Sequence, residues 1–325
     1  MKTIIFHNMQ FGYRGTEVST YSLAKYNQEI LGNKSIIIGT KQREMDSYNL
    51  FADKFKTILL EEDWNPIDNS KFRAEIEKYV EQEKADWYYV QIGGENDSFF
   101  PTNCKTFINA VFNMRCPQGD VYAGISEYLM KRDGGKLFLP YIVERPYNHY
   151  ISHREVLEIP KNSIVLGRHG GNTTFDISFV HKVIKHILSI RKDMYFIFLG
   201  TNAFYEHPNI IYWPKTVEPV EKQLFINSCD VMLHARAVGE TFGLACAEFS
   251  VCNKPVITYN GNLYSYYDRA HIDILGDKGI YYKDENELYN YLLNLKQEDL
   301  INKDWNAYKD FSGEKVVKKF EQLIS

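Results

Sequence analysis

Cysteine is scarce in this chain, with five in 325 residues and no C-x-x-C pair among them. That argues against a disulfide framework or a zinc knuckle. Cys104, Cys116, Cys229, Cys246 and Cys252 read as reduced thiols, so a cytoplasmic protein is expected. No apolar run approaches the ~18–20 residues of a membrane span. The opening segment MKTIIFHNMQFGYRG has one Lys and a short apolar stretch. That is too short for a signal-peptide core and reads as a first β-strand. These absences leave room for peripheral membrane contact through a surface helix. The net charge is only −4, so no global basic field draws the chain to nucleic acid. G-x-x-x-x-G-K-[ST], H-E-x-x-H and G-x-S-x-G are all missing, which removes the P-loop, zincin and α/β-hydrolase motifs. His149 and His153 are spaced as a helical metal pair but have no evident third ligand, so no metal is expected. Aromatic residues, by contrast, are abundant: 24 Tyr, 20 Phe and 4 Trp. They serve either a large core or stacking surfaces for sugars and bases.

Short apolar runs alternate with amphipathic stretches along the chain. Strands are expected at residues 3–6, 35–39, 56–60, 87–92 and 121–126, with helices at 18–31, 69–83 and 127–131. Residues 103–113 fit a strand or a short helix. The rhythm restarts at residue 164. Strands are expected at 164–167, 195–200, 210–212, 231–234 and 255–259, with helices at 179–191, 221–228, 241–251 and 285–295. Residues 139–160 carry Pro140, Pro146 and Pro160 without periodicity and read as a connection. The β-α-β rhythm predicts an α/β protein of two open parallel sheets. Two such units predict a cleft, with ligands outside the C-terminal strand ends.

The segment DVMLHARAVGETFGLACAEFSVCNKPVITY, starting at Asp230, carries the most chemical information. Glu240 and Glu248 are eight residues apart, about 2.2 helical turns. The spacing predicts Glu240 at a helix entry and Glu248 on nearly the same face. Gly243, Ala245, Cys246 and Ala247 make that helix thin, so a ligand can approach its backbone. Free N–H groups at its start suit a diphosphate.

The pattern G-E-x-F-G-L-x-x-x-E-x-x-x-x-x-x-P-V-I resembles the E-x7-E signature of retaining, nucleotide-sugar-dependent glycosyltransferases (family 4-like, glycosyl transferases group 1). The resemblance extends to Val165-Leu166-Gly167-Arg168, like the strand ending in G-R, and to Arg14-Gly15-Thr16-Glu17, like the Gly-rich loop after the first strand. Asn260-Gly261-Asn262 stands where a Gly pair is common, and Ser126 and Leu129 match an S-x-x-L segment. The resemblance implies a GT-B architecture, in which two Rossmann-like domains face a cleft. Residues 1–145, completed by a helix at 313–324, would form the acceptor domain, and residues 146–312 the donor domain.

The resemblance also implies roles. Glu248 would hold the donor ribose, because a carboxylate accepts two hydroxyl hydrogen bonds at once. Glu240 would lie by the donor sugar. Arg168 would face the diphosphate. Gly15, Thr16, Gly170, Gly171, Thr241, Phe242, Gly243 and Leu244 would contact the donor. His234-Ala235-Arg236 departs from the family's common Pro-Ser; His234, ending a strand at the cleft mouth, is either a contact for donor phosphate or base or a satisfied core histidine. The base would be chosen by loops at 201–208 and 214–220. The family's diphosphate-clamping Lys after G-R is missing. Arg236, Lys254 or the N–H groups of residues 170–173 would then neutralise the leaving group. Loss of Arg236 is accordingly expected to cut turnover far more than loss of Arg191. The family's acceptor-side His is also missing, and Glu95 and Asp97 become the candidates for acceptor hydroxyls. Phe99, Phe100, Phe107 and Phe112 could stack there or pack. No protein base is assigned, since the leaving phosphate can take the acceptor proton. The reading is transfer from a UDP- or GDP-sugar to a glycan, lipid or small-molecule acceptor, without cofactor or metal. The alternatives are a sugar-nucleotide epimerase and a catalytically silent binding protein of the same fold.

Overall fold

The structure, a computed structural model, describes residues 1–144, 151–216, 218–264 and 266–325. Pro146 and His149, named above, and Val217 of the 214–220 loop lie outside these. The chain forms two compact units, Met1–Ile142 with Phe311–Ser325, and Val143–Asp310.

The first unit runs β1 (Thr3–His7), α1 (Gly15–Glu29), β2 (Lys34–Thr40), α2 (Tyr48–Ala52), β3 (Lys56–Leu60), α3 (Ser70–Glu83), β4 (Trp87–Ile92), β5 (Lys105–Ala110), β6 (Val121–Gly124) and α4 (Glu127–Arg132). Its six strands are parallel, in the order β3-β2-β1-β4-β5-β6. Both faces are covered, and alternate side chains of each strand serve opposite cores. Ile4, Phe6, Trp87 and Tyr89 pack on one side, and Ile5, Tyr88 and Val90 on the other.

The second unit runs β7 (Ile164–His169), α5 (Ser178–Ile190), β8 (Met194–Leu199), β9 (Ile210–Trp213), α6 (Pro219–Ser228), β10 (Val231–His234), β11 (Gly239–Glu240), α7 (Leu244–Val251), β12 (Val256–Tyr259), β13 (Asp268–Arg269), α8 (Ala270–Leu275), β14 (Gly279–Tyr282) and α9 (Glu285–Asn294). Its main sheet is parallel, ordered β14-β12-β10-β7-β8-β9. Counted from its own first strand, this is the order of the first unit, the Rossmann arrangement. The last helix, α10 (Gly313–Leu323), belongs to the first unit. Its Val316 and Phe320 join the Ile4–Phe6 face, with the Phe320 ring 5.4 Å from Phe107.

The expected strands and helices are present, with ends shifted by a few residues. The ambiguous stretch 103–113 is strand β5, whose Phe107 and Ile108 are buried on opposite faces. The helix around the paired glutamates starts later than expected. Gly243 holds a left-handed φ of 83°, so the helix begins only at Leu244. Glu240 is therefore not on that helix; it sits in β11, paired with Arg269 of β13. In each sheet the connection order reverses beside the first strand, between β1 and β4 and between β7 and β10. Ligands of such sheets bind outside the C-terminal strand ends at that reversal.

Candidate functional site

In the second unit, the strand ends at the reversal are Arg168-His169 of β7 and His234 of β10. Neighbouring residues of a strand point to opposite faces, and Arg168 and His169 divide in this way. The Arg168 guanidinium lies over the Phe175 ring, 5.7 Å from its centre. Its Nη2 donates to Gly171 O and Thr174 Oγ1, each at 2.7 Å, and Nη1 donates to Thr201 Oγ1. Burial pulls its pKa down to about 10, so it stays a cation at neutral pH. His169 faces the other way, between Phe249 and Phe225.

Around Arg168 the chain turns through Gly170 and Gly171, with Gly170 at a φ of 141°. Asp176 fastens this turn to the loop after β10. Its Oδ1 accepts from Ala237 N at 2.7 Å, and its own N–H donates to Ala235 O at 3.1 Å. That loop carries Arg236, whose Nη1 donates to Glu240 Oε2 at 2.8 Å. His234 Nε2 lies 3.3 Å from Glu240 Oε1. Burial pushes the Glu240 carboxyl up, but the Arg236 charge and the His234 bond outweigh it and hold it down at about 2. Glu240 in turn raises Arg236.

Glu248 lies on α7 and has different partners. Lys222 Nζ of α6 donates to Oε1 at 2.7 Å, and His169 Nε2 stands 3.0 Å from Oε2. Burial again pushes the carboxyl up, and Lys222 and His169 hold it down at about 2. Burial lowers His169, and its Nε2, close to Oε2, makes no hydrogen bond there. A carboxylate offers about four lone-pair sites, so at least two remain for hydroxyl donors.

Thr241 and Phe242 are buried, and Leu244 is half-buried. Phe242 O accepts from Tyr308 OH at 2.9 Å. Ala247 N–H closes the first helical bond to Gly243 O, which leaves the N–H groups of Leu244, Ala245 and Cys246 without intrahelical acceptors. At Gly243 a Cβ would approach His271 Cβ to 2.7 Å, with the backbone at a φ of +83°. Gly243→Ala is expected to cost about 2–4 kcal/mol, strain and clash together. Gly134, at a φ of +70° with open space around it, isolates the strain. Gly134→Ala should cost about 1 kcal/mol. Thermal melts of the two variants check the difference.

Sequence reasoning missed His169, Lys222, Asp176, Thr174 and Thr201 as parts of this site. His169 carried a signal, since it ends the same strand as Arg168. Lys222 carried none; only the packing of α6 beside α7 brings it to Glu248. Lys254 does not join the cluster. It precedes β12 and so lies at the opposite ends of the parallel strands.

In the first unit, Gly15 and Thr16 open α1 after β1. Thr16 Oγ1 donates to the buried carboxyl of Glu17 at 3.2 Å. Glu95 Oε1 accepts from Asn113 Nδ2 at 3.0 Å, and Asp97 is half-buried with its pKa raised by burial. Phe99 and Phe107 are core side chains, Phe100 packs on Phe99 at 4.7 Å, and Phe112 is 57% exposed. His153 stacks on Trp213, 5.1 Å between ring centres. Among the described residues, no three His, Cys, Asp or Glu side chains are grouped to hold a metal, and no helix is long and apolar enough to cross a membrane.

No protein-family model matches this sequence, and no curated protein matches it. Solved structures do match the fold along nearly the whole chain. HepE of Anabaena, in complex with UDP-glucose, aligns with a TM-score of 0.72 at 12% identity, covering 99% of both chains. A glycosyltransferase from Rickettsia africae gives 0.70 at 14% identity, over 99% of this chain and 97% of that one. WaaG, a glycosyltransferase involved in lipopolysaccharide biosynthesis, gives 0.70 at 13% identity over 99% of both. The chain has the GT-B fold of these proteins, two Rossmann-like units with parallel six-stranded sheets.

Proposed function

We propose that this chain is a glycosyltransferase of the retaining E-x7-E kind, taking its sugar from a nucleoside-diphosphate sugar without a metal. The observation that carries this is that Arg168, Arg236 and Glu240 face one another at the strand-order reversal of the second unit, with Glu248 of α7 beside His169 at the same strand end. Glu248 would take the ribose hydroxyls on its spare lone-pair sites. Arg168, Arg236 and the N–H groups opening α7 would neutralise the diphosphate as it leaves. Backbone groups at Gly170 and Gly171 would line it. Glu240 would lie by the donor sugar, with His234, Thr241, Phe242, Gly243 and Leu244 shaping its pocket. HepE was solved with UDP-glucose, which favours a UDP-sugar here. Acceptor attack on the donor face, with the leaving phosphate taking the proton, needs no protein base. Glu95 and Asp97 would meet an acceptor hydroxyl of a glycan, lipid or small molecule. Reduced cysteines fit a cytoplasmic site of action.

The test is a thermal-shift panel of UDP, GDP, ADP, TDP and CMP on wild type and Glu248→Ala. A ligand at ~100 times its dissociation constant adds about 2.7 kcal/mol. At about 2–4 °C per kcal/mol, the expected shift is roughly 5–10 °C for UDP, lost in Glu248→Ala. Product analysis with the corresponding UDP-sugars then looks for transfer. A product formed without acceptor would mean an epimerase. A shift without any product would leave a silent nucleotide-binding protein. No shift with any nucleotide would remove the donor assignment of Glu248.

A further inference from the structure

Behind Glu240 lies a chain of buried polar groups, of which only His234 is assigned to the donor. His234, Thr258 and His271 are each at most 5% exposed. Thr258 Oγ1 stands 2.8 Å from His234 Nδ1 and 3.1 Å from His271 Nε2. Tyr267 OH, which donates to Tyr259 O, lies 3.5 Å from the same His271 nitrogen. His271 Nδ1 is buried and has no hydrogen-bond partner.

These contacts fix the direction of the protons. A hydroxyl has one proton to give, so Thr258 donates to one imidazole and accepts from the other. If it donated to His271 Nε2, a neutral His271 would carry its proton on Nδ1, a buried donor with no acceptor. Buried orphan N–H groups are rare and costly. His234 Nε2, if His234 were neutral, would then also turn a lone pair on the Glu240 carboxylate. The opposite direction satisfies every donor. His271 Nε2–H donates to Thr258 Oγ1, with Tyr267 Oη also in reach. Thr258 O–H donates to His234 Nδ1. His234 Nε2–H is left to donate to Glu240 Oε1.

We propose that Thr258 and His271 are positioning residues, which lock neutral His234 in its Nε2–H tautomer and thereby hold the Glu240 carboxylate at the donor sugar. The role assigned to Glu240 rests on the transferase reading; the tautomer does not. The charged and titratable groups facing this chain are Arg236 and Glu240 from the loop and strand after β10, Tyr259 of β12, Tyr267 and Arg269 from the segment before α8, Tyr282 of β14, and Cys246 from α7. Burial, helped by the Arg269 and Arg236 cations, lowers the His271 pKa, in keeping with a neutral ring.

The test uses ring-nitrogen NMR of the 15N-histidine-labelled full chain at neutral pH, with the His234 signals assigned by their loss in His234→Gln. The expected wild-type pattern has the His234 proton on Nε2. Thr258→Val, close in shape but without the hydroxyl, is expected to give a mixed tautomer, and Thr258→Ser to restore the single one. In transfer assays, Thr258→Val should lower kcat about tenfold with donor KM within about twofold, and Thr258→Ser should recover most of it. A His234 proton on Nδ1 in the wild type would overturn the proposal, as would His234 signals unchanged by Thr258→Val. If Thr258→Val does not fold, the wild-type tautomer and the His271→Gln spectrum decide in its place. Absence of transfer by wild type would end the transferase reading instead, and the ring signals would still decide the tautomer.

Discussion

Arg236→Ala is expected to lower kcat by about two to three orders of magnitude, the usual cost of one preorganised charge-stabilising donor. Lys182→Ala, which removes an exposed cation of α5 in the same unit, should leave it within about twofold. Arg191 does not serve as the neutral comparison that its surface position suggests. Its Nη1 donates to the carbonyls of Leu292, Leu293 and Leu295 at the C-terminal end of α9, and it pairs with Asp193. Its loss would loosen the unit. Arg236 needs a further control, because it is also the counter-ion of Glu240 at 2.8 Å. Its removal leaves a partly buried carboxylate with only His234, which costs stability by itself. The double variant with Glu240→Gln separates the two roles. If Arg236 meets the leaving diphosphate, its loss costs a similar factor in the Glu240→Gln background. If it serves only to hold Glu240, it costs nothing further there, and the diphosphate role falls. Steady-state kinetics with melting curves on the four proteins decide between these.

The sheets were legible because parallel strands buried on both faces form near-continuous apolar runs. Residues 36–38 and 196–199 are of this kind. The two-residue strands β11 and β13 carry no such periodicity, and nothing local announces that Gly239 and Glu240 pair with Asp268 and Arg269. That pairing takes Glu240 away from the helix entry at which its spacing from Glu248 had placed it. Gly243 was visible as a thin residue but not as a left-handed one. The conformation is imposed by His271 and Tyr308 packed against it, both distant in sequence. The site shows the same division. Arg168, Glu240 and Glu248 were read from motif residues. Lys222, Asp176 and Thr258 were not, because each acts through a neighbour that only the folded chain supplies. The missing diphosphate Lys is instructive too. Of the substitutes drawn from the sequence, Lys254 sits at the wrong strand ends, whereas Arg236 shares the loop with Glu240.

Acidification should unfold the second unit through these two partly buried glutamates. Each has a folded pKa lowered from the ordinary 4.5 to about 2. The unfolded chain therefore takes up protons first as pH falls. The stabilisation is complete above about pH 5.5 and is lost as pH falls through 4.5 toward 2. At pH 3 each glutamate should have lost about 2 kcal/mol relative to pH 7, or about 4 kcal/mol together if they act independently. Their partner sets differ, Lys222 and His169 for one and Arg236 and His234 for the other, which favours independence. Against a typical domain stability of about 5–15 kcal/mol, that is enough to bring unfolding within reach of pH 3. His169 acts in the same direction from its ordinary 6.5 downward, because burial lowers it in the folded state. Urea titrations at pH 7, 5, 4 and 3 on wild type, Glu240→Gln and Glu248→Gln test this. Both glutamates lie in the second unit, so contributions from the first cancel in the differences. Each Gln variant should be less stable at pH 7 and lose about 2 kcal/mol less than wild type on going to pH 3. Equal slopes for all three proteins would show that these carboxylates are not held ionised by their partners, and the electrostatic basis of the site would have to be redrawn.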